Sequence, residues 1–259
     1  MAGRVITINL RFLISGVVLT TLLVFSFGTA LAVAVRGQGL GTLELADLLA
    51  IRFTLFQAFI STILSVGLSV PVARALSRQA FIGRRALITL LGAPFILPVL
   101  VGVLGLLAVY GRSGWFNDLF SFFGLGRLSI YGAPGVILAH VFFNLPLATR
   151  LLLQSWSAIP AERLRLTDSL GAKPRVSFYL IEWPMLRNAL PGAFVLIFLL
   201  CLSSFAVALA LGGGPRGTTI ELAIYQAFRF DFNLGKAASL ALIQFSICGV
   251  VAFFALLMP

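Results

Sequence analysis

The chain has 259 residues, 60% of them hydrophobic and only 10% charged, with a formal net charge of +11 and a mean hydropathy of +1.07. A soluble domain carries about 25% charged residues, so a water-soluble enzyme or binding module of this length is excluded. The basic excess sits in short segments between apolar runs, where orientation in a membrane accounts for it, and it does not argue for a nucleic-acid partner.

In chain order, six apolar segments are long enough to cross a hydrocarbon core of about 30 Å at about 1.5 Å per residue. The first, Phe12–Val35, ends near Ala30-Leu31-Ala32, which resembles a signal-peptide cleavage site. The apolar run before it is longer than a signal h-region, so a retained span is expected. Phe53–Leu76 follows, with Gln57 inside it, and then Ala86–Tyr110; Pro71 in the first and Pro94 and Pro98 in the second predict bends. The segment Tyr110–Tyr131 contains "GWFNDLFSFFGLG". Trp115, Phe116, Leu119, Phe120 and Phe123 recur there at helical spacing, which predicts a short helix at headgroup depth. Pro134–Leu153 places His140 and Asn144 at i, i+4, on one face, with Pro146 just beyond.

Leu190–Leu211 is interrupted by Ser203 and Ser204, and "TTIELAIYQAFRF" after it reads as a second interfacial segment. Ala237–Leu257 is the sixth span. Cys201 and Cys248 lie inside apolar runs and read as small hydrophobes, not as a disulfide or metal pair. The fold class expected is therefore all-α, a polytopic membrane protein with six transmembrane helices forming one domain over residues 1–259.

Placing the N-terminus inside puts twelve of the nineteen Lys and Arg residues on inner segments and seven on outer ones. This bias predicts both termini on the cytoplasmic side of the plasma (inner) membrane. Polar groups within spans usually face an interior or a cavity. Gln57, His140, Asn144, Ser203 and Ser204 are thus the candidates for lining a path, although helix–helix hydrogen bonding is what such residues mostly do.

One inner loop, about 155–188, departs from this texture: "PAERLRLTDSLGAKPRVSFYLIEWP", Pro160 to Pro184. Pro160 suits a helix start and Glu162 complements its dipole. Leu164, Leu166 and Leu170 form a partial apolar face. Gly171 is placed to end the helix in a left-handed cap, and Pro174 stops it from continuing. A second short helix, Arg175–Trp183, is expected to run up to Pro184.

The spacing in this loop resembles the signature of the permease subunits of ABC importers: Glu-Ala-Ala, three residues, glycine, nine residues, isoleucine, one residue, Leu-Pro. With Gly171 on the signature glycine, Ile181 and Pro184 fall on the isoleucine and proline. Trp183 replaces the leucine, and Arg165-Leu166-Thr167 stands at the first triplet. "HVFFNLP", "IEWPMLRNALPG" and "LGGGPRGTTIELAIYQAF" are similar to the N-terminal half of the bacterial thiamine-importer permeases within that family.

The resemblance implies the type I importer permease fold and a docking role for the loop. Glu162, Arg165, Asp168, Gly171, Ala172, Ile181 and Pro184 become the ATPase-coupling positions, with Glu162 or Asp168 supplying the charge missing from the triplet. It further implies cytoplasmic ABC ATPase subunits and a periplasmic substrate-binding protein as partners, membrane lipid as the surroundings, and thiamine or its phosphates as cargo. Those permeases usually fuse two such halves. The single half here, ending at "FFALLMP", is expected to need a second half or a second copy to complete the pore.

No Gly-x-x-x-x-Gly-Lys-Ser/Thr run is present, so the chain is expected to hydrolyse no ATP itself and to carry no cofactor or metal. "LGGGP" reads as a turn ending the fifth span. Import of another small solute or iron stays open. An ion-coupled secondary transporter would want carboxylates at mid-membrane, and the span centres hold none. An intramembrane enzyme finds little support in one histidine and two separated cysteines.

Overall fold

The computed structural model describes residues 10–36, 39–171, 173–214 and 217–257. All the regular structure among them is helical: α1 (Leu10–Arg36), α2 (Leu45–Arg78), α3 (Arg84–Leu90), α4 (Ala93–Ile96), α5 (Val99–Tyr110), α6 (Trp115–Phe122), α7 (Ala133–Ser157), α8 (Ala161–Ser169), α9 (Pro174–Ser177), α10 (Trp183–Leu202), α11 (Phe205–Leu211), α12 (Ile220–Arg229) and α13 (Leu234–Leu257). Helices satisfy their backbone polar groups internally, as hydrocarbon surroundings require. Among the described residues, five segments are long and apolar enough to cross a membrane: Leu45–Arg78, Val99–Phe122, Ala133–Ser157, Arg175–Leu202 and Leu234–Leu257. The 27-residue α1 adds a sixth segment of spanning length.

The third span departs from expectation. Bends were anticipated at Pro94 and Pro98, but the segment divides into α3, α4 and α5. Pro94 occupies the first turn of α4 and Pro98 caps α5, so neither proline sits where its missing N–H would leave a carbonyl unpaired mid-helix. The second inner helix departs too. It does not stop at Pro184. A π turn over Phe178–Glu182 joins α9 to α10, with the Trp183 N–H donating to the Phe178 carbonyl. The wider turn shifts the hydrogen-bond ladder just ahead of the proline, and the chain passes through it as one helical run.

The bundle is built around α2 and α7, with α10 packed on both. α2 presents a stripe of small residues to this contact: Thr54, Ala58, Ser61, Thr62, Ser65, Ser69 and Ala73 are all buried. Small side chains let helix backbones approach closely, which is how membrane helices gain dispersion contact without a hydrophobic driving force. Several hydroxyls bond to their own helix, Thr54 to Ala50, Thr62 to Ala58 and Ser69 to Val66 at 2.6–2.8 Å, so the stripe is polar in composition but largely satisfied. Apolar layers fill the rest. Ala73, Leu76, Leu152, Trp156 and Leu186 pack at the α8 end. Ala58, Val66, Ala148 and Ile197 lie in the middle. Val103, Ile130, Val136 and Leu211 pack at the opposite end.

At that opposite end the short helix expected after Tyr110 is present as α6, with Trp115 and Phe122 exposed. Its anchor is Asn117, 1% exposed. The Asn117 amide donates to the carbonyls of Gly111 and Leu128 at 2.8 and 2.9 Å and accepts the Leu128 N–H at 2.8 Å. Asn117→Ala removes three bonds and leaves the buried Gly111 carbonyl unpaired, which costs about 1–3 kcal/mol. The variant should melt several degrees lower in detergent, whereas Trp115→Ala should leave the midpoint unchanged. Thermal unfolding of the two variants side by side checks this. Nearby, Lys236 at the start of α13 pairs with Glu44 and Asp47 at 3.1 and 3.2 Å, closing α13 onto the first turn of α2.

Candidate coupling elbow and membrane pocket

Two places carry the polar side chains that the sequence singled out. The first is the elbow formed by α8, α9 and the π turn. The Pro160 carbonyl accepts the Arg163 N–H at 3.1 Å, opening α8. Gly171 stands at φ +66 with open space around the position of a Cβ, so the left-handed backbone, not crowding, selects glycine. Glu162 and Arg165 are exposed on α8. Ile181 and Pro184 line a groove of about 620 Å³ together with Ile159, Pro160 and Arg163. Ala172 and the side chain of Asp168 lie outside the described residues. Leu166, Leu170, Tyr179 and Leu180 all project from the elbow, 62–82% exposed.

Glu182, absent from the sequence-derived candidates, is the best-connected charged residue of the elbow among the described residues. Its side chain is fully buried. Oε2 accepts from Arg74 Nε at 2.9 Å and from Trp156 Nε1 at 3.0 Å, and Oε1 accepts from Arg78 Nη2 at 2.7 Å and Arg74 Nη2 at 3.4 Å. Arg78 also reaches the Ser177 hydroxyl at 3.3 Å, and the Arg74 guanidinium lies 5.0 Å from the Phe178 ring centre. A carboxylate leaves water only when charge and hydrogen bonds replace its hydration, and here four donors on two helices do so. The sequence held one cue to this cluster: a single acid in an apolar stretch, matched by two arginines one turn apart at the end of α2.

The second place is the break between α10 and α11. Ser203 and Ser204 leave helical geometry, at φ −102°, ψ 71° and φ −135°, ψ 54°, so the carbonyls of Cys201 and Leu202 lose their partners four residues on. Side chains replace them. Gln57 Nε2 donates to the Cys201 carbonyl at 2.9 Å and Gln244 Nε2 to the Leu202 carbonyl at 3.0 Å. His140 bridges Ser61, 3.4 Å from Nδ1, and Ser204, whose hydroxyl meets Nε2. Asn144 Nδ2 donates to Cys201 Sγ at 3.2 Å.

His140, Asn144, Ser203 and Ser204 share the wall of a cavity of about 280 Å³ with Pro94, Phe143 and Phe205. Four of the five path candidates thus converge. Gln57 does not join them: it is fully buried behind the break, holding a carbonyl. Glu221 on α12 also approaches. Burial pushes its carboxyl above the usual carboxylate range, while the N–H groups of Phe205 and Ser204 pull it down.

No protein-family model matches the chain. It is 52% identical over 199 residues to the thiamine transport system permease protein ThiP of Salmonella typhimurium, an alignment covering 76% of this chain and 37% of that protein. It is 42% identical over 239 residues to ThiP of Brucella abortus, covering 90% and 44%. The chain therefore spans less than half the length of these relatives. The molybdenum transport system permease protein ModB of Azotobacter vinelandii is 32% identical over 178 residues, covering 69% of this chain and 78% of ModB.

Among solved structures, a chain of a bacterial ABC transporter involved in the import of alginate superposes with a TM-score of 0.79 at 16% identity, covering 95% of this chain and 94% of that one. A chain of the alginate transporter in complex with its pentasaccharide-bound periplasmic protein gives 0.78 at 17% identity, covering 94% and 92%. The broken third and fifth spans, the elbow and this fold, together with a permease relative matched over most of its own length, make the chain a member of the ABC importer permease family.

Proposed function

We propose that the chain is the membrane subunit of an ATP-driven importer that carries thiamine, or its phosphates, across the bacterial inner membrane. The observation that carries this reading is the exposed, glycine-hinged elbow on a chain 42–52% identical to thiamine transport system permeases. Cytoplasmic ATPase subunits dock on the elbow, with Glu162, Arg165, Asp168, Gly171, Ala172, Ile181 and Pro184 at or beside the contact. A periplasmic binding protein delivers cargo at the α6 and α12 end. The chain acts as one half of a duplicated permease, completed by a second half or a second copy. The Lys and Arg bias supports cytoplasmic termini and a cytoplasmic elbow.

ATP binding and hydrolysis in the partner drive alternating access. The permease contributes no bond-making chemistry, only two arrangements of its helices. The cavity at the α10–α11 break is the cargo's way-station. Its hydroxyl, imidazole and amide groups offer neutral hydrogen bonds, and Phe143 and Phe205 offer ring faces to a cationic heterocycle.

The test is reconstitution into proteoliposomes with a second permease unit, the ATPase and the binding protein. Labelled thiamine should accumulate only with ATP inside and binding protein outside. Accumulation that persists without the ATPase while an ion gradient is held would assign the chain to ion-coupled transport. ATP-dependent import of a different solute, with thiamine ignored, would overturn the cargo assignment alone.

A further inference from the structure

We propose that Glu182 is the positioning residue through which movement of the elbow reaches the membrane pocket, acting on two parallel struts, α2 and α7. The proposal rests on the reading of the elbow as the ATPase docking element. Glu182 lies at the point where the elbow passes into α10, and its carboxylate is gripped by Arg74 and Arg78 on α2 and by Trp156 on α7. Both struts continue to the break. On α2, Gln57 holds the Cys201 carbonyl and Ser61 meets His140. On α7, His140 meets Ser204 and Asn144 meets Cys201. Arg74 and Gln57 are separated by about 25 Å of unbroken helix, and Trp156 and His140 by about 24 Å, at about 1.5 Å per residue. The same two helices thus touch the elbow at one end and, at the other, the break beside the pocket, whose wall α7 lines through His140 and Asn144 while α2 backs it through Gln57 and Ser61.

The chemistry of the node fits transmission better than simple cohesion. Buried ion pairs are weak stabilisers, and apolar replacements of similar volume are often neutral or better. A carboxylate holding four directed donors does something an apolar contact does not: it fixes the register of three elements at once, in one discrete arrangement. Arg74 and Arg78 keep roughly a third of their side-chain surface exposed while Glu182 has none. The acid is therefore the hub of the cluster, and the arginines are its connections toward the headgroup region.

The experiment uses the complete importer in proteoliposomes and reads ATP hydrolysis, thiamine uptake and ATPase co-purification separately. Glu182→Gln keeps size but loses the charge and exchanges one acceptor oxygen for an NH2 donor. It should leave ATPase co-purification intact and hydrolysis within twofold, while uptake per ATP falls at least tenfold. Glu182→Asp should recover part of that ratio. Trp156→Phe, which removes one donor and little volume, should lower the ratio several-fold, and the double variant Glu182→Gln/Trp156→Phe should be no worse than Glu182→Gln alone, as for residues of one unit.

An unchanged ratio in Glu182→Gln overturns the proposal. So does a loss of uptake, hydrolysis and assembly in equal proportion with Trp156→Phe wild-type in ratio, which marks a purely structural role. A wild-type importer that shows no ATP-dependent uptake overturns the functional reading itself, a result distinguishable from either.

Discussion

Replacing Gly171 with valine is expected to cut ATP-driven uptake about tenfold or more while the chain still inserts and folds. Gly171 sits at φ +66 between α8 and α9. A Cβ there meets nothing within 4 Å, so backbone conformation alone sets the outcome. A β-branched residue held in that region costs about 1–3 kcal/mol, and about 1.4 kcal/mol corresponds to a tenfold shift in a two-state equilibrium. The elbow would relieve this strain by refolding locally, which moves Leu166 and Leu170 relative to Tyr179 and Leu180. Core layers on α2, α7 and α10 are untouched, so melting of the bundle should stay near wild type. Proline, locked near φ −65°, should be worse than valine. Asparagine, which tolerates the left-handed region, should retain most uptake. Uptake across this four-residue series, at matched protein in the membrane, should rank glycine, asparagine, valine, proline. Equal uptake in all four would remove the hinge from the mechanism.

The second large effect is expected at the break. Gln57 and Gln244 each satisfy one orphaned carbonyl, and each keeps its own Oε1 buried without a partner. Replacing both with leucine therefore exchanges two orphan side-chain oxygens for two orphan backbone oxygens. Unpaired buried groups cost about 1–3 kcal/mol each, but the terms oppose one another, and the net change in stability should stay within about 1 kcal/mol. The geometry of the break is different, because nothing offsets the lost clasps. Interhelical hydrogen bonds in membranes average about 0.6 kcal/mol, with a maximum near 1.7. Two of them hold the Ser203–Ser204 segment by about 1–3 kcal/mol, enough to shift its conformers roughly tenfold. Uptake by the Gln57→Leu/Gln244→Leu variant should fall by about that factor with the melting point nearly fixed. Uptake at the wild-type rate would show that the clasps do not shape the pocket.

The parts of this architecture that depend on local pattern were legible in the sequence. Apolar length located the spans, Gly171 and Pro174 marked the hinge, and Ser203–Ser204 marked the interruption of the fifth span. Spacing alone put His140 and Asn144 on one face, and the structure brings that face to the break. What escaped depends on partners far along the chain. Glu182 is 104 and 108 residues from Arg78 and Arg74, and no local rule pairs them. Gln57 reads from sequence as a polar group in a span. Whether it faces a cavity or backs a carbonyl is decided by how α10 packs on α2. Prolines were the third difficulty. A proline in a membrane helix bends it, breaks it or passes unnoticed according to what takes up the freed carbonyl. Pro71 lies inside an unbroken α2, Pro94 and Pro98 begin new helices, and a π turn carries the chain past Pro184.

The central claim, that the elbow is where the ATPase grips this bundle, is tested most directly by crosslinking in native membranes. A single cysteine at Leu170, 82% exposed, is introduced after Cys201→Ser and Cys248→Ser, with Trp115→Cys at the opposite end as the control. The account predicts an adduct between Leu170→Cys and the ATPase subunit whose yield changes when ATP binds, and none from Trp115→Cys. Membranes that import thiamine normally, yet never give the Leu170→Cys adduct in any nucleotide state, would contradict it.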